Sequence, residues 1–124
     1  NVYPLEMHDQ VLVCDANPLE TIYINHLGEV TPCVNLGLCT QGEIPRYFLG
    51  EAYPTPRMSF GNVRQGLPAA LESAQRKAFC QAFRQRNVTA NPLVAFSALS
   101  GVSKDEKLPP PPEPCRACYK MYGV

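Results

Sequence analysis

Tryptophan is absent from the 124 residues, histidine occurs only twice, and 11 basic side chains are matched by 11 acidic ones. A formal net charge of zero leaves no long-range field to draw in nucleic acid or an anionic membrane surface, so neither partner is expected. No apolar run approaches the roughly 20 residues that a membrane-spanning helix needs. Asn1 to Gln10 lacks the basic-then-apolar order of a secretory leader. The expectation is a soluble, cytoplasmic chain. No internal repeat divides the sequence, and residues 1–124 read as a single domain with a modest core.

What the chain does have is proline, glycine and cysteine: 13, 8 and 6 residues respectively. So many turn formers suit a small fold organised around a metal better than a long-helix bundle. Six cysteines fit three disulfides in a secreted chain or metal ligation in a cytosolic one, and composition does not choose between them.

Gln10 to Val13 deliver the chain to Cys14, after which Asp15-Ala16-Asn17-Pro18 reads as a turn. Ile22 and Ile24 alternate with Tyr23 and Asn25, which predicts a strand, and Glu29 to Val34 predicts a second that carries Cys33. Between them, Asn25-His26-Leu27-Gly28 fits a tight turn whose glycine takes positive φ, a type I turn with a G1 bulge. Leu36 to Phe60 is interrupted by glycine and proline throughout and reads as loop, with Tyr47, Phe48 and Phe60 available to cover a small core. From about Pro68 to Arg86, Leu71, Ala74, Ala78, Phe79, Ala82 and Phe83 recur at helical spacing. Asn91-Pro92 then fits the start of a short second helix over Leu93 to Leu99. Ser103 to Pro114, with Pro109 to Pro112 in unbroken series, reads as a stiff extended strap. The fold class is therefore α+β: a small metal-organised domain with an N-terminal β-hairpin, one main helix, a short second helix and an irregular proline-rich C-terminal strap.

The strap ends in Cys115-Arg-Ala-Cys118, a close pair that one turn can point at one site. Thiolates are preferred ligands of zinc and of iron–sulfur clusters. A lone C-x2-C is weak evidence. Here it is joined by Cys14, thirteen residues, Gly28, four residues and Cys33, and the glycine falls in the hairpin turn. Cys14, Cys33, Cys115 and Cys118 are thus the candidate metal and cofactor ligands, with Arg116 and Lys120 placed to offset thiolate charge. Cys39 is a possible alternate ligand but reads better as a spare thiol, and Cys80 reads as a partly buried helix residue. His8 and His26 read as solvated or locally bonded. Asn87-Val88-Thr89 matches a glycosylation acceptor, which matters only in a secreted protein.

Cys14 to Cys33, then Phe60-Gly61-Asn62-Val63 ahead of the helix, then Cys115-Arg-Ala-Cys118-Tyr-Lys-Met-Tyr-Gly, together resemble the SPASM or twitch auxiliary-cluster domain of radical S-adenosylmethionine (SAM) enzymes. The resemblance runs in order through nearly the whole chain. It implies a 4Fe-4S cluster beside an active site housed in a separate catalytic barrel, either in the same polypeptide or in a partner chain. It also implies electron transfer, substrate positioning or fold maintenance as the role, with a peptide or protein substrate and a reductant as further partners. Gly28 and Gly61 are expected to let backbone approach the cluster. The seven-cysteine family pattern continues beyond its C-x2-C, whereas this sequence ends at Val124 and resembles a one-cluster version. The C-x3-C-x2-C motif of the SAM-cleaving cluster is absent, so this chain alone is not expected to generate a radical, no catalytic residue is assigned, and SAM belongs to a separate domain. The alternatives are a zinc-binding structural or interaction module and a disulfide-rich secreted domain.

Overall fold

The computed structural model describes residues 11–90 and 108–124, which contain short strands, two α-helices and many turns. This is the expected α+β class. β1 (Tyr23–Ile24) and β2 (Glu29–Thr31) form the N-terminal hairpin, with Tyr23 opposite Thr31 and Ile24 opposite Val30. Its turn closes through Gly28 N–H to Asn25 O at 2.9 Å and Asn25 N–H to Glu29 O at 3.2 Å, with Gly28 at φ +79°. That is the geometry of a type I turn followed by a G1 bulge.

The expected alternation of faces in β1 does not hold. Ile24 is exposed and Asn25 is buried. Asn25 Oδ1 accepts from the backbone N–H of Leu27 and of Glu29, each at 3.0 Å, while its Nδ2 donates to Gly37 O at 3.1 Å. A fully bonded amide is tolerated in the interior, and here it satisfies turn N–H groups that an apolar side chain would leave bare.

Leu36 to Phe60 holds more structure than the loop predicted for it. β3 (Tyr47–Phe48) and β4 (Glu51–Ala52) form a second hairpin, prolonged by a bridge between Ile44 and Thr55. Leu49 and Gly50 connect the strands, both at positive φ (51° and 81°). A two-residue turn of this kind normally announces itself as Asn-Gly or Asp-Gly, and leucine in its first position hides the signal. Phe48 and Phe60 are buried as expected, whereas Tyr47 is exposed. β5 (Gly61–Asn62) then adds to the first hairpin, giving the sheet order β1-β2-β5.

The single helix expected from Pro68 to Arg86 is two: α1 (Leu67–Leu71) and α2 (Ala74–Thr89). Ser73 lies between them in extended conformation (ψ 149°), and its side chain accepts from Arg76 N–H at 3.2 Å. This cap restarts the helix without disturbing the apolar period, so the pattern alone does not show the break. The buried face of α2 is Phe79, Cys80, Phe83 and Arg86; Ala74 and Ala78 face outward. The second helix predicted over 93–99 lies outside the described residues, as does the first part of the strap. Pro109 to Pro112 carry no regular structure and lead into short 3-10 turns at Glu113–Cys115 and Tyr119–Tyr122.

The core gathers Val30, Leu36, Phe60, Ala70, Phe79, Phe83, Cys115 and Met121, with Cys14 and Cys33 packed against its edge. Arg86, fully buried within it, donates from Nε to Leu12 O (3.0 Å), from Nη2 to Val11 O (2.6 Å) and from Nη1 to Pro109 O (2.5 Å). Val11 N–H reaches Met121 O at 2.8 Å, joining the same two chain ends directly. Phe48 packs on Tyr119 and Tyr122 with ring centroids 4.9 and 5.2 Å apart, which fastens the second hairpin to the C-terminal segment.

Replacing Arg86 by methionine keeps much of the apolar stem and removes the guanidinium fork. It is expected to lower unfolding stability by about 3 kcal/mol, the scale of charge-assisted hydrogen bonds whose buried acceptors are left bare. Lysine cannot reproduce three divergent bonds and should restore less than half of that loss. Urea denaturation of the metal-free protein measures both.

Candidate metal centre

Each of the four predicted ligands opens a tight turn. Asn17 N–H bonds to Cys14 O at 2.9 Å, Leu36 N–H to Cys33 O at 3.2 Å, Cys118 N–H to Cys115 O at 3.2 Å and Met121 N–H to Cys118 O at 3.0 Å. A cysteine at the head of such a turn has the following backbone N–H groups folded back toward its sulfur. The N–H groups of Ala16 and Asn17 act on Cys14 in this way, and those of Asn35 and Leu36 on Cys33. The N-terminal turn is completed by Asn17 at φ 42°, a conformation that asparagine adopts more readily than most residues.

The turns converge. Cys14, Cys33, Cys115 and Cys118 line one pocket together with Ala16, Asn35, Leu36, Arg46, Pro114, Lys120 and Met121. Cys115 is buried and the other three are half-buried. All six cysteines are free thiols, so the four in the pocket are not paired as disulfides.

Burial is the first cause that pushes the thiols of Cys14, Cys33 and Cys115 above their ordinary range, most strongly at Cys115. Mutual repulsion adds to it: Cys115 feels Cys33, Cys118 and Cys14, and Cys14 feels Cys33 and Cys118. Backbone N–H groups pull Cys14 and Cys33 back down, and Arg46 does the same for Cys33 and Cys115. A thiolate set that repels itself is what a bound cationic centre would stabilise. Among the described residues, however, no group of three or more His, Cys, Asp or Glu side chains could hold a single metal ion as placed. Four free cysteines on one pocket wall are the donor chemistry that an iron–sulfur cluster takes.

The cations differ from those suggested by adjacency in sequence. Lys120 lines the pocket and pairs with Asp15 at 2.9 Å, whereas Arg116 turns away, its Nε 3.4 Å from Pro111 O. Arg46 also lines the pocket, and its Nη1 donates to Pro114 O at 2.6 Å. Nothing in the sequence singles out Arg46, because it reaches the site only through the second hairpin. Cys39 does not line the pocket; its Sγ lies 3.5 Å from His26 Nδ1 on the exposed surface. Cys80 is buried on α2, 3.7 Å from Pro18 O. His8 lies outside the described residues. Gly28 and Gly61 do not approach the thiols: a Cβ on Gly28 would meet Asn62 Oδ1 and Val63 Cγ2 at 3.0 Å, and one on Gly61 would meet Ala70 Cβ at 3.3 Å. These glycines serve the close packing of β2, β5 and α1.

Compared with known families, residues 14–119 match the model of SPASM, an iron–sulfur cluster-binding domain. The match spans most of the chain, which therefore belongs to this family. Comparisons with curated proteins and with solved structures gave no match.

Thiols whose folded pKa is raised favour the folded state while they stay protonated and oppose it once solution pH would ionise them. The metal-free protein should therefore lose stability as pH climbs above the free-thiol value of about 8.5. Replacing Cys115 by alanine should flatten that decline, and thermal unfolding from about pH 7 to pH 10 measures the slope.

Proposed function

We propose that this SPASM-family chain binds one 4Fe-4S cluster through Cys14, Cys33, Cys115 and Cys118 and serves as the auxiliary-cluster domain of a radical SAM enzyme. The observation that carries the proposal is the convergence of four free cysteines, two from the N-terminal third and two from the C-terminal end, on one pocket. Cys115, the most buried, would anchor the core side; Cys118 heads the last turn, which also borders a groove lined by Asn35, Leu38, Arg46, Tyr119 and Lys120.

When bound, the cluster supplies one-electron chemistry at a potential set by charge, burial and hydrogen bonds to its sulfurs. The chain's own contribution is to hold four thiolates in place, to direct turn N–H groups at Cys14 and Cys33, and to exclude water on the Cys115 side. Such a domain can relay an electron, hold a substrate or maintain the fold beside a catalytic barrel in the same polypeptide or a partner chain. Peptide or protein modification is the substrate class we favour, by likeness to the family. The cytoplasm, where thiols stay reduced, suits this chemistry.

Anaerobic reconstitution followed by iron, sulfide and zinc analysis tests the reading. About four irons and four sulfides per chain are expected, with thiolate-to-iron absorption near ~400 nm. Stoichiometric zinc after metal-controlled purification, without iron, would favour a structural zinc module instead. Serine at Cys14, Cys33, Cys115 or Cys118 should abolish stable cluster binding, whereas C80S and C39S should keep the iron content of the wild type. Loss of iron in C80S equal to that in C118S would overturn the ligand assignment.

A further inference from the structure

We infer that Arg46 is the cation that sets the reduction potential of the group held by the four cysteines, an inference that rests on the cluster reading above. Among the described residues, Arg46 and Lys120 are the cationic side chains that line the thiol pocket. They are not equivalent. Lys120 Nζ, which also feels Cys118 and Cys14, pairs with Asp15 Oδ2 at 2.9 Å, so a neighbouring carboxylate offsets part of its charge at the site. Arg46 instead makes its hydrogen bond to a neutral acceptor, Pro114 O at 2.6 Å, and keeps its full positive charge beside the pocket. That bond also fixes where the charge sits, because Pro114 immediately precedes Cys115.

The fold reinforces the placement. Arg46 leads into β3, and Phe48 two residues on is locked against Tyr119 and Tyr122, on either side of Lys120 and just beyond Cys118. Leu49 N–H donates to Tyr119 Oη at 3.1 Å, and Tyr53 N–H to Arg46 O at 2.7 Å. The second hairpin thus acts as an arm that carries one guanidinium to the thiols. Its favourable influence on thiolate charge at Cys33 and Cys115 agrees with this geometry.

Reduction adds one electron, taken from a low-potential one-electron donor such as dithionite, and makes the cluster with its four thiolates more negative by one charge. A fixed cation at the pocket wall favours that reduced state and raises the potential, and partial burial preserves the effect against screening.

The test is an anaerobic redox titration of the full chain, followed by the spectroscopic signal that C115S lacks, with iron content measured in each sample. R46Q keeps a polar side chain but loses the charge; R46K keeps the charge. R46Q is expected to shift the reduced-to-oxidised ratio about tenfold toward oxidised, which is about 59 mV lower for one electron. R46K should recover at least half of that. Equal potentials in wild type, R46Q and R46K overturn the inference while leaving the ligand assignment standing, as does an equal displacement of both variants. If R46Q holds too little iron to titrate, R46H at about pH 8.5, where imidazole is neutral, takes its place. Loss of iron from both neutral variants with R46K intact and at the wild-type potential, or loss from all three, marks Arg46 as a structural anchor and overturns the inference. A wild-type protein that binds no iron–sulfur cluster defeats the cluster reading itself, and one whose cluster resists reduction defeats only the assignment of a potential-setting role.

Discussion

Everything at the thiol pocket depends on bringing the two ends of the described chain to one helix, and Arg86 does this. Its guanidinium sits in the core and donates to Val11 and Leu12 on one side and to Pro109 on the other. The first pair lies just ahead of Cys14 and the last just ahead of Cys115. Proline cannot donate, and a segment rich in it forms no sheet ladder, so a strap of this composition has to be held through its carbonyls. A buried arginine with a divergent fork is well suited to that task.

The same logic recurs at the pocket wall. Arg46 holds Pro114 by its carbonyl and Lys120 holds the N-terminal turn through Asp15, while away from the pocket Arg57 ties Glu29 of β2 to the loop region at 2.6 Å. The strands of the described residues are two or three residues long, so pairing between them contributes little. Side-chain to backbone contacts therefore carry much of the tertiary organisation. The exposed pair between Lys120 and Asp15 is worth little on its own, whereas the buried bonds of Arg86 are each costly to lose. A bound cluster would add to this arrangement by closing the long loop between Cys33 and Cys115, work that a small core cannot easily supply alone.

Local chemistry in the sequence determined the ligand candidates, the hairpin turn and the existence of a helix after Pro68. Each of these rests on short spacings: Asn25 to Gly28 for the bulged turn, Cys115 to Cys118 for the close pair, and the recurrence of Phe79 and Phe83 for the helix. What lay hidden depends on contacts distant in sequence or on a single residue that breaks a pattern quietly. Ser73 divides the helix by capping without altering the apolar period. Leu49 occupies a turn position that usually advertises itself as asparagine or aspartate. Asn25 is buried because it bonds to Gly37, twelve residues away.

The sequence by itself thus determined which thiols could act together and that the fold around them would be irregular and turn-rich. Only the tertiary structure decided that they share one wall with Arg46, that Cys39 faces His26 instead, and that Arg116 points away. The physical reason is range. Turn chemistry and helical period are settled within a few residues, whereas the position of a cation 69 residues before Cys115 is set by a hairpin, an aromatic cluster and one carbonyl that the linear sequence does not place side by side.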